Sequence, residues 1–169
     1  SYQPPEMVWK SLRKAVADEF DALPVTGISN EQFKLLFDGL MKWPADFKPL
    51  RKVEKLIQDK LKLFSDEKKV DWATGELMAY GSLLTDGKDV RMSGQDVERG
   101  TFSQRHAVIH LEDSEEEYIP LKQFENKKTK FNIYNSHLSE YGVLGFEYGY
   151  ATASPDALTV WEAQFGDFF

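Results

Sequence analysis

Hydrophobic positions along the chain follow two regimes that meet near residue 71. In the first, apolar residues recur at helical spacing. Phe33, Leu36, Phe37, Leu40 and Met41 form one stripe ended by Trp43-Pro44, and Leu50, Val53, Ile57, Leu61 and Phe64 form a second after Pro49. Each stripe lies on one face of a helix, so two amphipathic helices are predicted. Ser29 is placed to cap the first, Gln32 to close a capping box, and Ile28 to staple onto Phe33. A weaker pattern over residues 5–20 predicts another helix. Residues 1–70 therefore read as a helical arm that packs and links rather than a catalytic body.

Beyond residue 71 the pattern alternates between helix and strand. Residues 76–84 read as a helix stopping at Asp86-Gly87, residues 90–93 as a short strand and residues 107–111 (AVIHL) as a buried strand. A strand over residues 131–134 and a helix over residues 138–153 follow. Residues 158–162 form another buried strand after the turn Ser154-Pro155-Asp156. Strands separated by helix-length segments predict an α/β fold with a largely parallel sheet over residues 71–169. So few strands leave an open edge, and the sequence LTVWEAQFGDFF at residues 158–169 stops without a polar tail. The expectation is a truncated sheet belonging to a larger chain.

Composition narrows the chemistry. With 169 residues, 41% of them apolar and 14% aromatic, the chain can fill a one-domain core. Its 21 basic against 28 acidic side chains give a net charge of −7, which argues against nonspecific binding to phosphate backbones. No cysteine is present, so disulfides, thiolate nucleophiles and cysteine metal sites are excluded and redox chemistry would need a cofactor. No run approaches the ~18 apolar residues of a membrane span, and the opening SYQPPEMVW resembles neither a signal nor a transit peptide. The chain reads as soluble and not secreted.

Several positions invite a functional reading. Gly142, Gly145 and Gly149 share a face of the helix over residues 138–153, each at a cost of about 1 kcal/mol relative to alanine. Close approach of another backbone offsets that cost, either within the chain or from a second subunit. Glu140, in the first turn of the same helix, is either a carboxylate favoured by the helix dipole or a shielded acid able to share a proton with a ligand ring nitrogen. Gln95, Asp96, Arg99, Arg105 and His106 crowd a polar loop beyond a strand, where open α/β sheets bind ligands. The acidic run over residues 112–117 reads as a solvated loop without a metal. His106 and His110, four apart on a strand-like pattern, do not imitate a helical metal pair. Dinucleotide, phosphate-loop and nucleophile-elbow motifs are all missing.

Three long segments carry a resemblance. SGQDVERGTFSQRHAVIH (residues 93–110), LSEYGVLGFEYGYA (residues 138–151) and LTVWEAQFGDF (residues 158–168) closely resemble the thiamine-diphosphate-dependent decarboxylating component of 2-oxoglutarate dehydrogenase. The resemblance implies a transketolase-like pyrimidine-binding domain, with the helical arm as the link from a preceding domain. The 2-oxoadipate enzyme shares these motifs. By position, Glu140 matches the glutamate that hydrogen-bonds the aminopyrimidine ring nitrogen and favours its imino tautomer. Gln164 matches a contact to the pyrimidine edge, Phe168 the aromatic stacked on its face, Leu138 a pocket wall, and Gln95 a polar contact on the substrate side. The implied chemistry is decarboxylation of a 2-oxo acid on the cofactor, followed by transfer of the acyl fragment to a lipoyl group in a multienzyme complex of the tricarboxylic acid cycle.

The family's Gly-Asp-Gly motif with its following asparagine, which binds diphosphate and magnesium, is missing, since Gly166-Asp167 is followed by phenylalanine. The resemblance therefore implies half a site, inactive alone. A homodimer completes it across subunits, and the lipoyl-bearing succinyltransferase is the other partner. The implied compartment is the bacterial cytoplasm or the mitochondrial matrix. The competing reading is a non-catalytic interaction module that uses the glycine face and the acidic loop.

Overall fold

The computed structural model describes residues 8–111 and 114–166. Helix α1 (Asn30–Leu40) starts where the Ser29 side chain accepts the Gln32 N–H at 3.1 Å. Helix α2 (Arg51–Glu67) ends on Lys68 in the left-handed conformation, φ 55°, whose N–H returns to the Phe64 carbonyl. Asp71 caps α3 (Trp72–Thr85) through the Thr74 N–H. The predicted stripes are the buried faces: Leu36, Phe37 and Leu40 on α1, and Val53 and Ile57 on α2. Phe37 packs on Phe64 with ring centroids 4.5 Å apart, joining the two helices. Gly81 lets α1 close onto α3, because a Cβ there would lie 2.8 Å from Leu36 Cδ2.

Strand β1 (Val90–Gly94) is followed by the two-residue strands β2 (Ile109–His110) and β3 (Glu117–Tyr118), then by β4 (Phe131–Asn135), helix α4 (Glu140–Ala153) and β5 (Leu158–Glu162). The main sheet has the order β4-β1-β5 and both pairings are parallel, as predicted. Alternation along β1 explains its two faces. Val90 and Met92 enter one core with Phe131 and Ile133 from β4, Leu77, Met78 and Leu84 from α3, and Leu36, Phe37, Met41 and Ile57 from the helices before residue 71. Arg91 and Ser93 point the other way, towards Glu147 of α4.

Four local expectations need correction. Among residues 8–20 the only helical run of any length is the short 3-10 turn Ala17–Phe20. Leu12, Val16 and Phe20 are exposed, so no apolar face is buried to support a helix that is too short to stand alone, and the segment is tied down by Trp9 Nε1, which donates to the Thr152 carbonyl at 2.7 Å. Gln32 does not close the capping box; its amide bonds Thr85 Oγ1 instead. Residues 107–111 are buried at Ala107, Val108 and Ile109, yet only Ile109–His110 is strand, paired antiparallel with β3 outside the main sheet. The Ala107 N–H is taken by the Glu98 carbonyl and those of Arg105 and His106 by Arg99, which ties the segment to its own loop. Strand β5 is half-exposed rather than buried, because β1 is its only partner among the described residues.

Candidate functional site at the carboxyl edge of the sheet

Gly94 pairs with both Asn135 and Glu162, so all three parallel strands end at one level. The loops leaving them gather at that edge, where open α/β sheets place ligands. Gly94 is needed there: a Cβ would press into the Glu162 carbonyl and lie 2.8 Å from Val97 Cγ1. The three loops bring in Gln95, residues 136–139 leading to Glu140, and Gln164.

Glu140 is the first residue of α4 and only 5% exposed. Its carboxylate is held by main chain. Oε1 accepts the N–H groups of Gln164 at 2.7 Å and Phe165 at 3.1 Å, and Oε2 accepts that of Gly166 at 3.1 Å. Gly166, at φ 73°, allows these successive N–H groups to converge as an anion nest. The N-terminus of α4 adds its dipole to the same carboxylate. Ordinary first-turn carboxylates are solvated, whereas that of Glu140 is shielded. A carboxylate offers about four acceptor positions, and Oε2 carries one donor in this arrangement, which leaves it a further acceptor position.

Gln164 is thus brought to Glu140 through its backbone. Leu138 is 63% exposed and lines a cleft of about 220 Å³ together with Arg91, Ser93, Asn135 and Phe146. Gln95 lines an adjoining hollow of about 390 Å³ that shares Asn135 and Ser136 with that cleft. Phe168 lies outside the described residues, as do residues 112–113 of the acidic run. Ser114, Glu115 and Glu116 of that run are exposed. Gly145 and Gly149 have nothing within 4 Å of an added Cβ, so among the described residues no intramolecular crossing occupies that face.

Two buried charge clusters were not read from the sequence. Glu147, 3% exposed, accepts Arg91 Nε and Nη2, each at 2.8 Å, and Ser93 Oγ at 2.8 Å. The rings of Tyr134, Phe146 and Tyr150 surround the same guanidinium. Arg105, also 3% exposed, bonds Glu76, Glu162 and the Val97 carbonyl. Burial alone would lower the pKa of Arg105, but its bonds to Glu162 and Glu76 outweigh that and raise it. Asp96 and Arg99 pair locally at the surface. His106 is pushed below its ordinary range, first by burial and then by the charges of Lys52 and Arg99.

The matched family is the transketolase pyrimidine-binding domain, over residues 68–169, and the chain belongs to that family. Its relatives narrow the likeness further. The chain is 47% identical over 162 residues to the mitochondrial 2-oxoglutarate dehydrogenase of Saccharomyces cerevisiae, covering 95% of this chain and 16% of that protein. It is 50% identical over 143 residues to the Schizosaccharomyces pombe protein of the same name, covering 85% of this chain and 14% of that one. With the 2-oxoglutarate dehydrogenase E1 component of Bacillus pumilus it shares 42% identity over 157 residues, covering 93% and 16%. The chain therefore spans about one sixth of the length of these relatives. Among the described residues no helix is long and apolar enough to cross a membrane.

Proposed function

We propose that the chain supplies the pyrimidine side of a thiamine-diphosphate site in the decarboxylating component of a 2-oxoglutarate dehydrogenase. The observation that carries this reading is the burial of Glu140 at the carboxyl edge of the sheet with an acceptor position left on Oε2. When bound, the cofactor supplies the electron sink that decarboxylation of a 2-oxo acid requires. Glu140 holds a proton between Oε2 and the ring nitrogen, and its low-dielectric surroundings strengthen that bond. Gln164 contacts the ring edge, Leu138 forms a wall, Phe168 stacks on the ring face and Gln95 reaches towards the substrate. Diphosphate and magnesium are held by residues outside this chain.

The open glycine face of α4, flanked by the exposed rings of Tyr141 and Tyr148, supports a homodimer contact that completes the site. The lipoyl-bearing succinyltransferase is the proposed acyl acceptor, in the mitochondrial matrix or the bacterial cytoplasm. The test is Glu140→Ala in a full-length enzyme carrying this segment. Decarboxylation falls by two orders of magnitude or more while the dimer persists; near-normal turnover refutes the assignment. Rates on 2-oxoglutarate and 2-oxoadipate decide the substrate. The 169-residue chain alone, given thiamine diphosphate and magnesium, shows no turnover.

A further inference from the structure

The acidic run and the histidines carry no metal motif in the sequence, but the fold joins members of both to a residue from a third segment. His110 on β2 stands opposite Glu117 on β3 in antiparallel register, with Nδ1 3.6 Å from Oε1. Directly opposed residues share a face, so both side chains project to the same side of the hairpin. Glu98, from the loop after β1, completes the group. One donor atom from each of the three lies within 4.8 Å of the other two.

Glu98 is held from outside the group. Asn135 Nδ2 donates to Glu98 Oε2 at 2.8 Å, and the Glu98 N–H donates to Asn135 Oδ1 at 3.1 Å. An outer partner that orients a carboxylate in this way is the usual support of a metal ligand. Burial pushes the Glu98 carboxyl above its ordinary value, and the charge of Glu117 adds to that.

We propose that Glu98, His110 and Glu117 form a binding site for a divalent transition metal of the zinc type, with a fourth position open to water. One imidazole nitrogen and two carboxylate oxygens match the borderline preference of zinc, whereas calcium and magnesium favour all-oxygen shells. Zinc bonds to nitrogen and oxygen of about 2.0–2.2 Å place tetrahedral donors roughly 3.4 Å apart. Exposed His110 and Glu117 reach that spacing by small side-chain rotations. The metal would clamp the β2-β3 hairpin onto the loop that carries Gln95, beside but separate from the Glu140 carboxylate.

The test uses the whole chain, stripped with a chelator and titrated with zinc chloride by calorimetry, then with cobalt chloride while visible absorption is followed. One equivalent binds, and cobalt gives ligand-field bands. His110→Asn and Glu117→Gln each weaken binding at least tenfold, and Asn135→Ala weakens it about tenfold by releasing Glu98. His137→Asn and Glu115→Gln leave it unchanged. Because His110 and Glu117 are exposed, these variants keep the wild-type circular dichroism. Failure of the wild type to bind at millimolar zinc overturns the proposal. Binding that survives both His110→Asn and Glu117→Gln, or that vanishes in His137→Asn, also overturns it.

Discussion

Removing the Glu147 carboxylate tests how the polar face of the sheet is held to α4. The side chains of Glu147 and Arg91 are 4% and 15% exposed, and three hydrogen bonds of 2.8 Å converge on the carboxylate. Glu147→Ala leaves the guanidinium without its counter-charge, and breaking a buried pair in this way costs about 3–5 kcal/mol. The buried Ser93 hydroxyl also loses its acceptor, a further cost of about 1 kcal/mol. Against this, the rings of Tyr134, Phe146 and Tyr150 still face Arg91, with centroids at 4.9, 5.4 and 4.6 Å, and each offsets about 0.5–1 kcal/mol. The expected net loss is about 3 kcal/mol. At roughly 2–4 °C per kcal/mol for a domain of this size, the melting temperature falls by about 6–12 °C. Replacing both partners, Arg91→Met with Glu147→Leu, removes the uncompensated charge and returns stability to within about 1 kcal/mol of wild type. Urea unfolding followed by circular dichroism measures all four members of the cycle, with unchanged m-values as the check on two-state behaviour. A loss below about 1 kcal/mol for Glu147→Ala, or a double variant no better than the sum of the singles, would show that the pair does not hold the face together.

Arg105→Met leaves Glu76 and Glu162 facing each other without a cation and costs about 3–5 kcal/mol; amide exchange over residues 158–166 accelerates, and Arg105→Lys does not restore protection because the forked contacts are lost. His106 has a folded-state pKa below its unfolded value of 6.5, so the unfolded chain binds more protons there and stability falls as pH drops through that value. Urea midpoints at pH 7.5 and 5.5 measure the fall; His106→Asn, which tolerates the φ of 46°, flattens it. Gly145→Ala meets open space and raises helix stability by about 0.5–1 kcal/mol, while sedimentation shows weaker self-association if α4 packs against a second copy; undiminished association would remove the glycine face from the interface.

What the sequence disclosed follows from the range over which each interaction acts. The stripes on α1 and α2 were legible because burial of one helix face imposes its own period, and residues 90–93 read as a short strand. Residues 107–111 misled because Val and Ile favour strands, while the loop carbonyls of Glu98 and Arg99 had already taken the backbone donors. Glu147 was missed because its cation lies 56 positions away and no local spacing relates the two. A signal did exist: an arginine inside a strand that is buried on both sides requires an acid, and Glu147 sits between aromatic residues on the helix covering that face. Glu98, His110 and Glu117 lie closer in sequence, but only the β2-β3 register and the fold of the loop after β1 bring them together. Glu140 could be marked by resemblance, but its shielding depends on main chain that arrives 24 residues later.

The carboxyl edge of the sheet is held differently from the rest of the fold. Away from it, Val90, Met92, Leu84 and Phe131 pack as ordinary apolar core. At the edge, Arg105 grips Glu162, Glu140 gathers the N–H groups of residues 164–166, and Asn135 ties Glu98 to the end of β4. Each contact sets a charged or polar group against a loop rather than an apolar one against a core. Such contacts are directional, so they fix where a loop's donors and acceptors point, which apolar packing does not do. They are also replaceable, since a ligand offering equivalent hydrogen bonds can take over a carboxylate without opening a cavity. On the proposed function, an edge that presents Glu140 to a heterocycle keeps its precision in these polar contacts, which add their own stability to that of the apolar core.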